Sequence, residues 1–366
     1  MKLWHIVVLV LAGIAYGEIE PGRLTYAFGH ATLYVLLPPL LFEAAWNLRY
    51  RAMIRAWRAI VVLAVPGVLL TALLIAGALA VVQVPLRTGL LTGAILSATD
   101  PIAVIAIFRR MRVPSLLSTV VECESLFNDA VAVALYRAVL VAVLAGSVGT
   151  AGLASITLGA VAGVVGGIAV GIAVAFVAAA ALRNRSNDPL QIIATLLCAY
   201  AAYYAADRLE CSGIFATIAC GIALRSFERR WISLTVAEDV NRFWDIAAFV
   251  ANGIVFFLVG AALDISIVTR DPAFVLATLA GVLVARFAVA GLLLPSGYPR
   301  AWLDVIRVAG MRGALSLALA IALPPQVPQR ETIIAATFAV ALATIISAGI
   351  TVPPVVARAV RARSRS

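Results

Sequence analysis

The sequence predicts an all-α polytopic membrane protein of about twelve transmembrane helices, two of them discontinuous. Of its 366 residues, 63% are hydrophobic and only 13% are charged, whereas soluble domains carry about 25% charged residues. Apolar runs of about 20 residues follow one another between short basic loops, as a hydrocarbon layer about 30 Å thick requires. These two observations exclude a water-soluble enzyme.

The basic loops divide the chain into twelve candidate segments. The segments cover residues 3–19, 29–47, 59–82, 88–108, 116–145, 152–182, 189–207, 211–227, 240–263, 273–295, 301–323 and 331–357. With a cytoplasmic N-terminus, the inner loops hold eighteen basic residues and the outer loops hold five. Because a miscounted segment would invert every later loop, this asymmetry supports the count independently of hydropathy. We therefore expect both termini on the cytoplasmic side of the cell membrane.

The formal net charge of +10 does not indicate a nucleic-acid partner. All 28 basic residues except Lys2 are arginines, mostly in short clusters between apolar segments, and this pattern orients helices in a lipid bilayer. The four cysteines stand singly in apolar stretches, without the spacing of a disulfide framework or a zinc site. We expect no cofactor and no nucleic acid.

The fourth segment is expected to break near its middle, at Asp100 and Pro101. Pro101 lacks the N–H that would bond the carbonyl of Ser97, and its ring disfavours helical geometry at Asp100. Broken helices are tolerated within a membrane where they line a cavity, and transporters build ion sites at such breaks. We expect the carbonyls of residues 97–99 to face such a cavity.

Four polar side chains share one sector of the fifth segment. Glu124 and Asn128 are four residues apart, as are Ser125 and Asp129, so each pair shares a face of the helix. Asp129 lies closest to the predicted midplane, where a carboxylate can be neutralised by a proton or by a bound cation. This exclusive choice is the physical basis of proton-coupled exchange. Hydroxyl, carboxylate and carbonyl oxygens are also the ligands that a hard cation such as Na⁺ prefers.

Two arginines, Arg286 and Arg312, lie deep in the tenth and eleventh segments, where they can balance the carboxylates. Gly310 and Gly313 flank Arg312 and would loosen its helix much as Pro101 breaks the fourth segment. One interrupted helix in each half of a chain is typical of inverted-repeat transporters. Three deep carboxylates against two arginines leave one surplus negative charge, which one monovalent cation or one proton would neutralise.

Glycines recur every four residues in the sixth segment and form a stripe along one helical face. They are Gly159, Gly163, Gly167 and Gly171. Because such a stripe lets another helix approach closely, we interpret it as a packing surface.

Four motifs carry a resemblance to a known family. They are LLPPLLFEAAW at 36–46, ATDPI at 98–102, ESLFNDA at 124–130 and GMRGALSLA at 310–318. Together they closely resemble the cation:proton antiporter-1 family, which comprises the bacterial sodium/proton antiporters of the NhaP type and the eukaryotic sodium/hydrogen exchangers. The resemblance implies the inverted-repeat sodium/proton antiporter fold of thirteen helices, here lacking the first helix.

The resemblance also implies a division of the chain. A transmembrane transport domain is expected over residues 1–357, followed by a short basic cytoplasmic tail at 358–366. Its core helices are expected at about 59–145 and 273–357, and its dimerisation helices at about 3–47 and 152–263. The protein is therefore expected to be a homodimer.

By motif, the family's ion site falls in the fourth and fifth segments. The resemblance implies that Asp129 binds either the proton or the cation. Glu124, Ser125 and the main-chain carbonyl of Thr99 would be further Na⁺ ligands, with Asp100 acting nearby through water.

Three more residues take their expected roles from the resemblance. Asn128 is expected among the ion- and proton-binding residues, and it resembles the electroneutral branch of the family, where the electrogenic branch has a second aspartate. Arg286 resembles the arginine that pairs with the residue at the Glu124 position. Arg312 resembles the arginine beside the helix break.

These observations predict a secondary active transporter that exchanges a monovalent cation for a proton by alternating access, one for one, in pH and sodium homeostasis. Sodium is the expected cation, and lithium and potassium are the other candidates. K⁺/H⁺ antiport, sodium-coupled transport of an organic anion and ion sensing on the same fold are the alternatives. An intramembrane protease is excluded because His5 and His30 are the only histidines and the HExxH and GxGD motifs are missing.

Overall fold

The computed structural model describes residues 3–19, 32–145, 150–182, 188–231, 234–261, 271–294 and 298–363, which form helices and no β-strand. The first half contains α1 (Leu3–Ile19), a π-helical turn (Thr32–Leu36), α2 (Leu37–Trp46), α3 (Tyr50–Ala64), α4 (Pro66–Val81), α5 (Leu86–Ser97), α6 (Ile102–Met111) and α7 (Ser115–Leu144). The second half contains α8 (Thr150–Leu182), α9 (Asp188–Arg208), α10 (Gly213–Trp231), α11 (Leu234–Ala261), α12 (Pro272–Leu293), α13 (Arg300–Val308), α14 (Ala314–Ile321) and α15 (Arg330–Arg363). The prediction of an all-α protein is confirmed.

Seven helical stretches among the described residues are long and apolar enough to cross a membrane. They are Tyr50–Val81, Ser115–Leu144, Leu158–Leu182, Leu190–Arg208, Glu238–Leu258, Pro272–Leu293 and Arg330–Arg361. Three shorter apolar stretches add to these, namely Val7–Ile19, Tyr34–Trp46 and Gly213–Ser226. With the interrupted pairs α5–α6 and α13–α14, these elements coincide with the twelve predicted segments, so the chain is a multi-pass membrane protein.

The largest difference in boundaries concerns the third segment. The helix begins at Tyr50 rather than near residue 59, because the arginine-rich stretch before the apolar run is itself an amphipathic helix, α3. Hydropathy marks the part of a helix that lies in hydrocarbon, whereas the helix itself continues into the polar interface.

The chain forms two compact units. The first comprises Met1–Gly29, Arg51–Ser147 and Phe256–Ser366, and the second comprises His30–Tyr50 and Val148–Val255. In the first unit, α4 packs against α5 and α12, α5 packs against α7, and α15 packs against α13 and α14. In the second unit, α10 packs against α2, α8 and α9. The division into core and dimerisation helices stays a prediction.

Glycines of the predicted stripe permit a close contact between helices of the second unit. In the second unit, a Cβ at Gly167 or Gly171 would collide with the backbone of Ser212 or Ala216. Gly159, at the other end of the predicted stripe, has open space beside it. The packing role predicted for the stripe is thus confirmed where α8 meets the start of α10, and not along its whole length.

Both expected interruptions are present in the first unit. Residues 98–101 separate α5 from α6, and residues 309–313 separate α13 from α14. The first break follows from the proline, which cannot continue the helical hydrogen bonds. The second contains two glycines, which weaken helical geometry.

Candidate ion-binding site

The two interruptions meet, and Asp100 lies where they cross. Its N–H donates to the carbonyl oxygen of Met311 at 2.9 Å. Its carboxylate accepts hydrogen bonds from the backbone N–H of Ile102, at 2.9 Å, and of Ala314. These amides belong to the first residues of α6 and α14, so one carboxylate faces the positive ends of two helix dipoles. Gly313 makes room for it, because a Cβ there would overlap the Asp100 side chain.

Arg312 lies on the other side of the first interruption, at the C-terminal end of α5. Its Nη1 donates to the carbonyl oxygens of Ser97 and Ala98 at 3.3 and 3.2 Å, at the C-terminal end of α5. Its own N–H donates to Thr344 Oγ1 at 3.1 Å. The guanidinium is buried and offsets the negative end of the α5 dipole. The carbonyls of Ser97 and Ala98, expected to face a cavity, are therefore occupied by an arginine.

Glu124 and Arg286 form a buried ion pair between α7 and α12. Arg286 Nη1 lies 2.5 Å from Glu124 Oε1, and the two side chains are 9% and 3% exposed. The resemblance implied this pairing, and the structure brings the two groups together. Gly310 makes it possible, because a Cβ at that position would overlap the Arg286 guanidinium. Glu124 Oε2 is buried and has no hydrogen-bond partner among the described residues.

Thr99 joins the first interruption to the polar sector of α7. The Ser125 hydroxyl donates to the main-chain carbonyl of Thr99. The Asn128 amide lies 3.4 Å from the Thr99 hydroxyl. The Asn128 side-chain nitrogen donates to the carbonyl oxygens of Leu63 and Glu124 at 3.3 and 3.2 Å. The amide oxygen faces the Thr99 hydroxyl.

Asp129 occupies the centre of this arrangement and is half-buried. Its carboxylate faces the backbone N–H of Thr99 and interacts electrostatically with Asp100 and Arg312. Its Oδ1 is buried and, like Glu124 Oε2, has no hydrogen-bond partner in the described part of the chain. Buried oxygens without partners are costly unless another group satisfies them. Asp129 is thus a carboxylate with unfilled bonding capacity inside a polar pocket.

The polar side chains around the first interruption offer oxygen atoms as ligands. The described residues contain no group of three or more His, Cys, Asp or Glu side chains that could hold a metal ion. The oxygens that the resemblance implies as cation ligands belong to Glu124 and Ser125 on α7 and to Thr99 at the neighbouring interruption. Such oxygen ligands suit hard, weakly polarising ions.

Three residues of this region carried no signal in the sequence. Thr344 binds the backbone of Arg312, Ser316 donates to the carbonyl of Ala98 at 3.4 Å, and Leu63 supplies a carbonyl to Asn128. A hydroxyl in an apolar helix commonly bonds its own backbone, and a main-chain carbonyl has no residue signature. These roles could be recognised from the tertiary structure alone.

Comparison with known proteins gives a consistent result. Residues 1–358 match the family model described as sodium/hydrogen exchanger, transmembrane. The chain is 33% identical over 365 residues to the Na(+)/H(+) antiporter ApNhaP of Aphanothece halophytica, covering 96% of this chain and 68% of that protein. It is 28% identical over 366 residues to the Na(+)/H(+) antiporter NhaH of Halobacillus aidingensis, covering 96% of this chain and 90% of that protein.

The fold is also similar to a solved structure. The sodium proton antiporter MjNhaP1 from Methanocaldococcus jannaschii at pH 8 superposes with a TM-score of 0.80, over 96% of this chain and 91% of that one. Sequence identity to it is 22%. This likeness confirms the predicted antiporter fold.

Proposed function

Because the chain belongs to the sodium/hydrogen exchanger family, we propose that it exchanges one Na⁺ for one proton across the cell membrane, with Asp129 as the group that carries either ion. Members of this family are secondary transporters and not enzymes. Relatives named as Na(+)/H(+) antiporters favour sodium over the potassium, organic-anion and ion-sensing alternatives.

The observation that carries the proposal is the contrast between two carboxylates on α7. Within the described part of the chain, each of the two keeps one buried oxygen without a hydrogen-bond partner, but Glu124 forms a buried ion pair with Arg286, whereas Asp129 forms no ion pair. A carboxylate in such a place becomes neutral by taking up a proton or by holding a cation. Since the two events exclude one another at one carboxylate, each cycle exchanges one ion for the other.

The balance of charges supports a one-for-one exchange. The pocket gathers the carboxylates of Asp100, Glu124 and Asp129 and the guanidinium groups of Arg286 and Arg312. The surplus is one negative charge, and either ion cancels it. The site then has the same net charge in both of its loaded forms, and reorientation moves no net charge.

The remaining site residues divide into ligands and orienting groups. We assign the Ser125 hydroxyl, the Thr99 carbonyl and the free oxygen of Glu124 as Na⁺ ligands beside Asp129. Asn128 fixes α7 through main-chain carbonyls. Asp100 is already engaged by two helix N-termini, so we assign it an electrostatic role and water-mediated contact with the ion.

Transport requires that the pocket open to each side of the membrane in turn. We propose that the helices of the first unit around the crossing form the moving core, and that the protein works as a homodimer through its dimerisation helices. Cytoplasmic termini, as the distribution of arginines indicates, would place the start of α7 on the cytoplasmic side.

Exchange in proteoliposomes tests the proposal. A trapped pH dye should report proton movement on addition of Na⁺, with Li⁺ and K⁺ compared at equal concentration. Asp129→Asn should abolish this exchange while the protein remains folded, because the neutral amide resembles the protonated carboxyl. Asp304→Asn removes an exposed carboxylate from the middle of α13 and serves as the matched control. Sodium-dependent proton flux that persists in Asp129→Asn would refute the assignment.

A further inference from the structure

An open apolar groove runs along the exposed face of α12 toward its C-terminal end. The groove has a volume of about 660 Å³. Its lining consists of Leu283, Val284, Phe287, Ala288, Gly291 and Leu292. At 1.5 Å per residue, this lining extends about 14 Å along the helix. Its exposed leucine, valine and phenylalanine side chains offer a hydrocarbon chain a continuous apolar contact.

The Arg307 guanidinium lies beside the end of the groove near the C-terminus of α12. It lies 5.8 Å from the centre of the Phe287 ring. A Cβ at Gly291 would lie 3.4 Å from Arg307 Nη2, so the missing side chain leaves the guanidinium next to the groove. Arg307 Nε is buried and has no hydrogen-bond partner among the described residues. The groove is therefore apolar along its length and cationic at one end.

The cationic end keeps a net positive charge after its internal ion pair is counted. Arg307 Nη1 lies 3.0 Å from Asp304 Oδ1 on the same helix. Arg300 lies one turn before Asp304, on the same face of α13. Arg300 and Arg307 against Asp304 leave α13 with one net positive charge beside the apolar groove. Basic pockets between transmembrane helices on the cytoplasmic side are suited to anionic lipid headgroups.

We propose that the groove along α12 binds an anionic phospholipid, with an acyl chain along α12 and the phosphate at Arg307 and Arg300 of α13. Arginine favours such a ligand because its fork of N–H donors matches phosphate oxygens. The Arg307 side chain points back toward the start of α13, where it contacts Asp304. This direction is toward the predicted cytoplasmic surface, where lipid headgroups lie.

The bound lipid would contact α12, which carries Arg286, and α13, which precedes the interruption that holds Arg312. Phe287, which lines the groove, directly follows Arg286, and α13 leads through Gly310 to Arg312. A ligand that contacts both α12 and α13 stabilises their relative position. We expect it to stabilise the fold of the first unit, whatever ion the protein carries.

Thermal unfolding of the full chain in detergent tests this binding without reference to transport. Dioleoyl phosphatidylglycerol should raise the melting temperature more than dioleoyl phosphatidylcholine, which has the same acyl chains and no net charge. Glycerol phosphate, the headgroup without acyl chains, should have no effect. An equal response to both lipids, or stabilisation by glycerol phosphate alone, would overturn the proposal.

Variants locate the effect in the groove. Arg307→Gln should raise the phosphatidylglycerol concentration needed for half of the stabilisation about fivefold, the factor expected for one arginine near a lipid headgroup. Arg358→Gln, which removes one positive charge from α15, should bind as the wild type does. Gly291→Leu keeps every charge but fills the groove end, and should weaken the response as well. If Arg307→Gln and Gly291→Leu both respond like the wild type, the site is wrong.

Discussion

Replacement of Glu124 by glutamine should destabilise the protein strongly, because it leaves Arg286 charged and unpaired. The two groups lie 2.5 Å apart, and their side chains are 3% and 9% exposed. Removing one partner of a buried ion pair costs about 3 to 5 kcal/mol, since the remaining charge has lost its compensation. The Arg307–Asp304 pair is a matched comparison, because its side chains are 32% and 59% exposed. Exposed pairs contribute about 0 to 1 kcal/mol.

The assay is thermal unfolding of purified variants in detergent without added lipid. Glu124→Gln should melt well below the wild type, whereas Asp304→Asn should melt close to it. Asp129→Asn should be less destabilising than Glu124→Gln, because Asp129 forms no ion pair with any residue that the structure describes. The double variant Glu124→Gln, Arg286→Gln should recover part of the loss, since the unpaired charge is removed.

Two outcomes would refute this reasoning. If Glu124→Gln and Asp304→Asn have the same melting temperature, the buried ion pair contributes no more to stability than an exposed one. If the double variant melts at or below the Glu124→Gln single variant, the loss does not come from an uncompensated arginine.

Three further predictions concern coupling, packing and topology. A potassium diffusion potential imposed with valinomycin should not shift the final pH of Na⁺-driven exchange in proteoliposomes. An exchange of two protons per Na⁺ would instead move one charge per cycle, coupled to about 2.3 kcal/mol per 100 mV. A shift of the final pH with the potential would therefore contradict one-for-one exchange. Gly313→Ala should lower both thermal stability and exchange because its Cβ would meet the Asp100 side chain, whereas Gly77→Ala, with open space beside it, should not; equal behaviour would contradict the close approach. In a cysteine-free background, a cysteine at position 147 should label from outside and one at position 52 only after permeabilisation, and the reverse pattern would invert the topology.

The sequence alone was sufficient to predict the membrane class, the twelve segments and both interruptions. The reason is that these features depend on local chemistry. A hydrocarbon layer requires runs of apolar residues, and their length and spacing can be read directly. Pro101 breaks a helix wherever it stands in the interior of one. The four polar residues of α7 share one sector because a helix has a fixed period.

The same local rules do not extend to contacts between segments. The sequence predicts that Asp129, Glu124 and two arginines lie deep in the membrane. The residues alone do not predict which carboxylate each arginine contacts, and the pairing of Arg286 with Glu124 was implied only by the family resemblance. The sequence predicts only part of the role of Gly310 and Gly313. Both lie in the expected interruption, and both also leave space for the side chains of Arg286 and Asp100.

The position of Asp100 at the N-termini of two half-helices, and of Arg312 at the C-terminal end of a third, was decided by tertiary structure. The sequence shows that a charge is buried, because burial follows from hydropathy around it. It does not show which backbone ends compensate that charge, because α5, α6 and α14 meet through residues about 210 positions apart along the chain. Compensation of a buried charge depends on distances of a few ångströms, and only the folded arrangement of the two interrupted helices sets those distances.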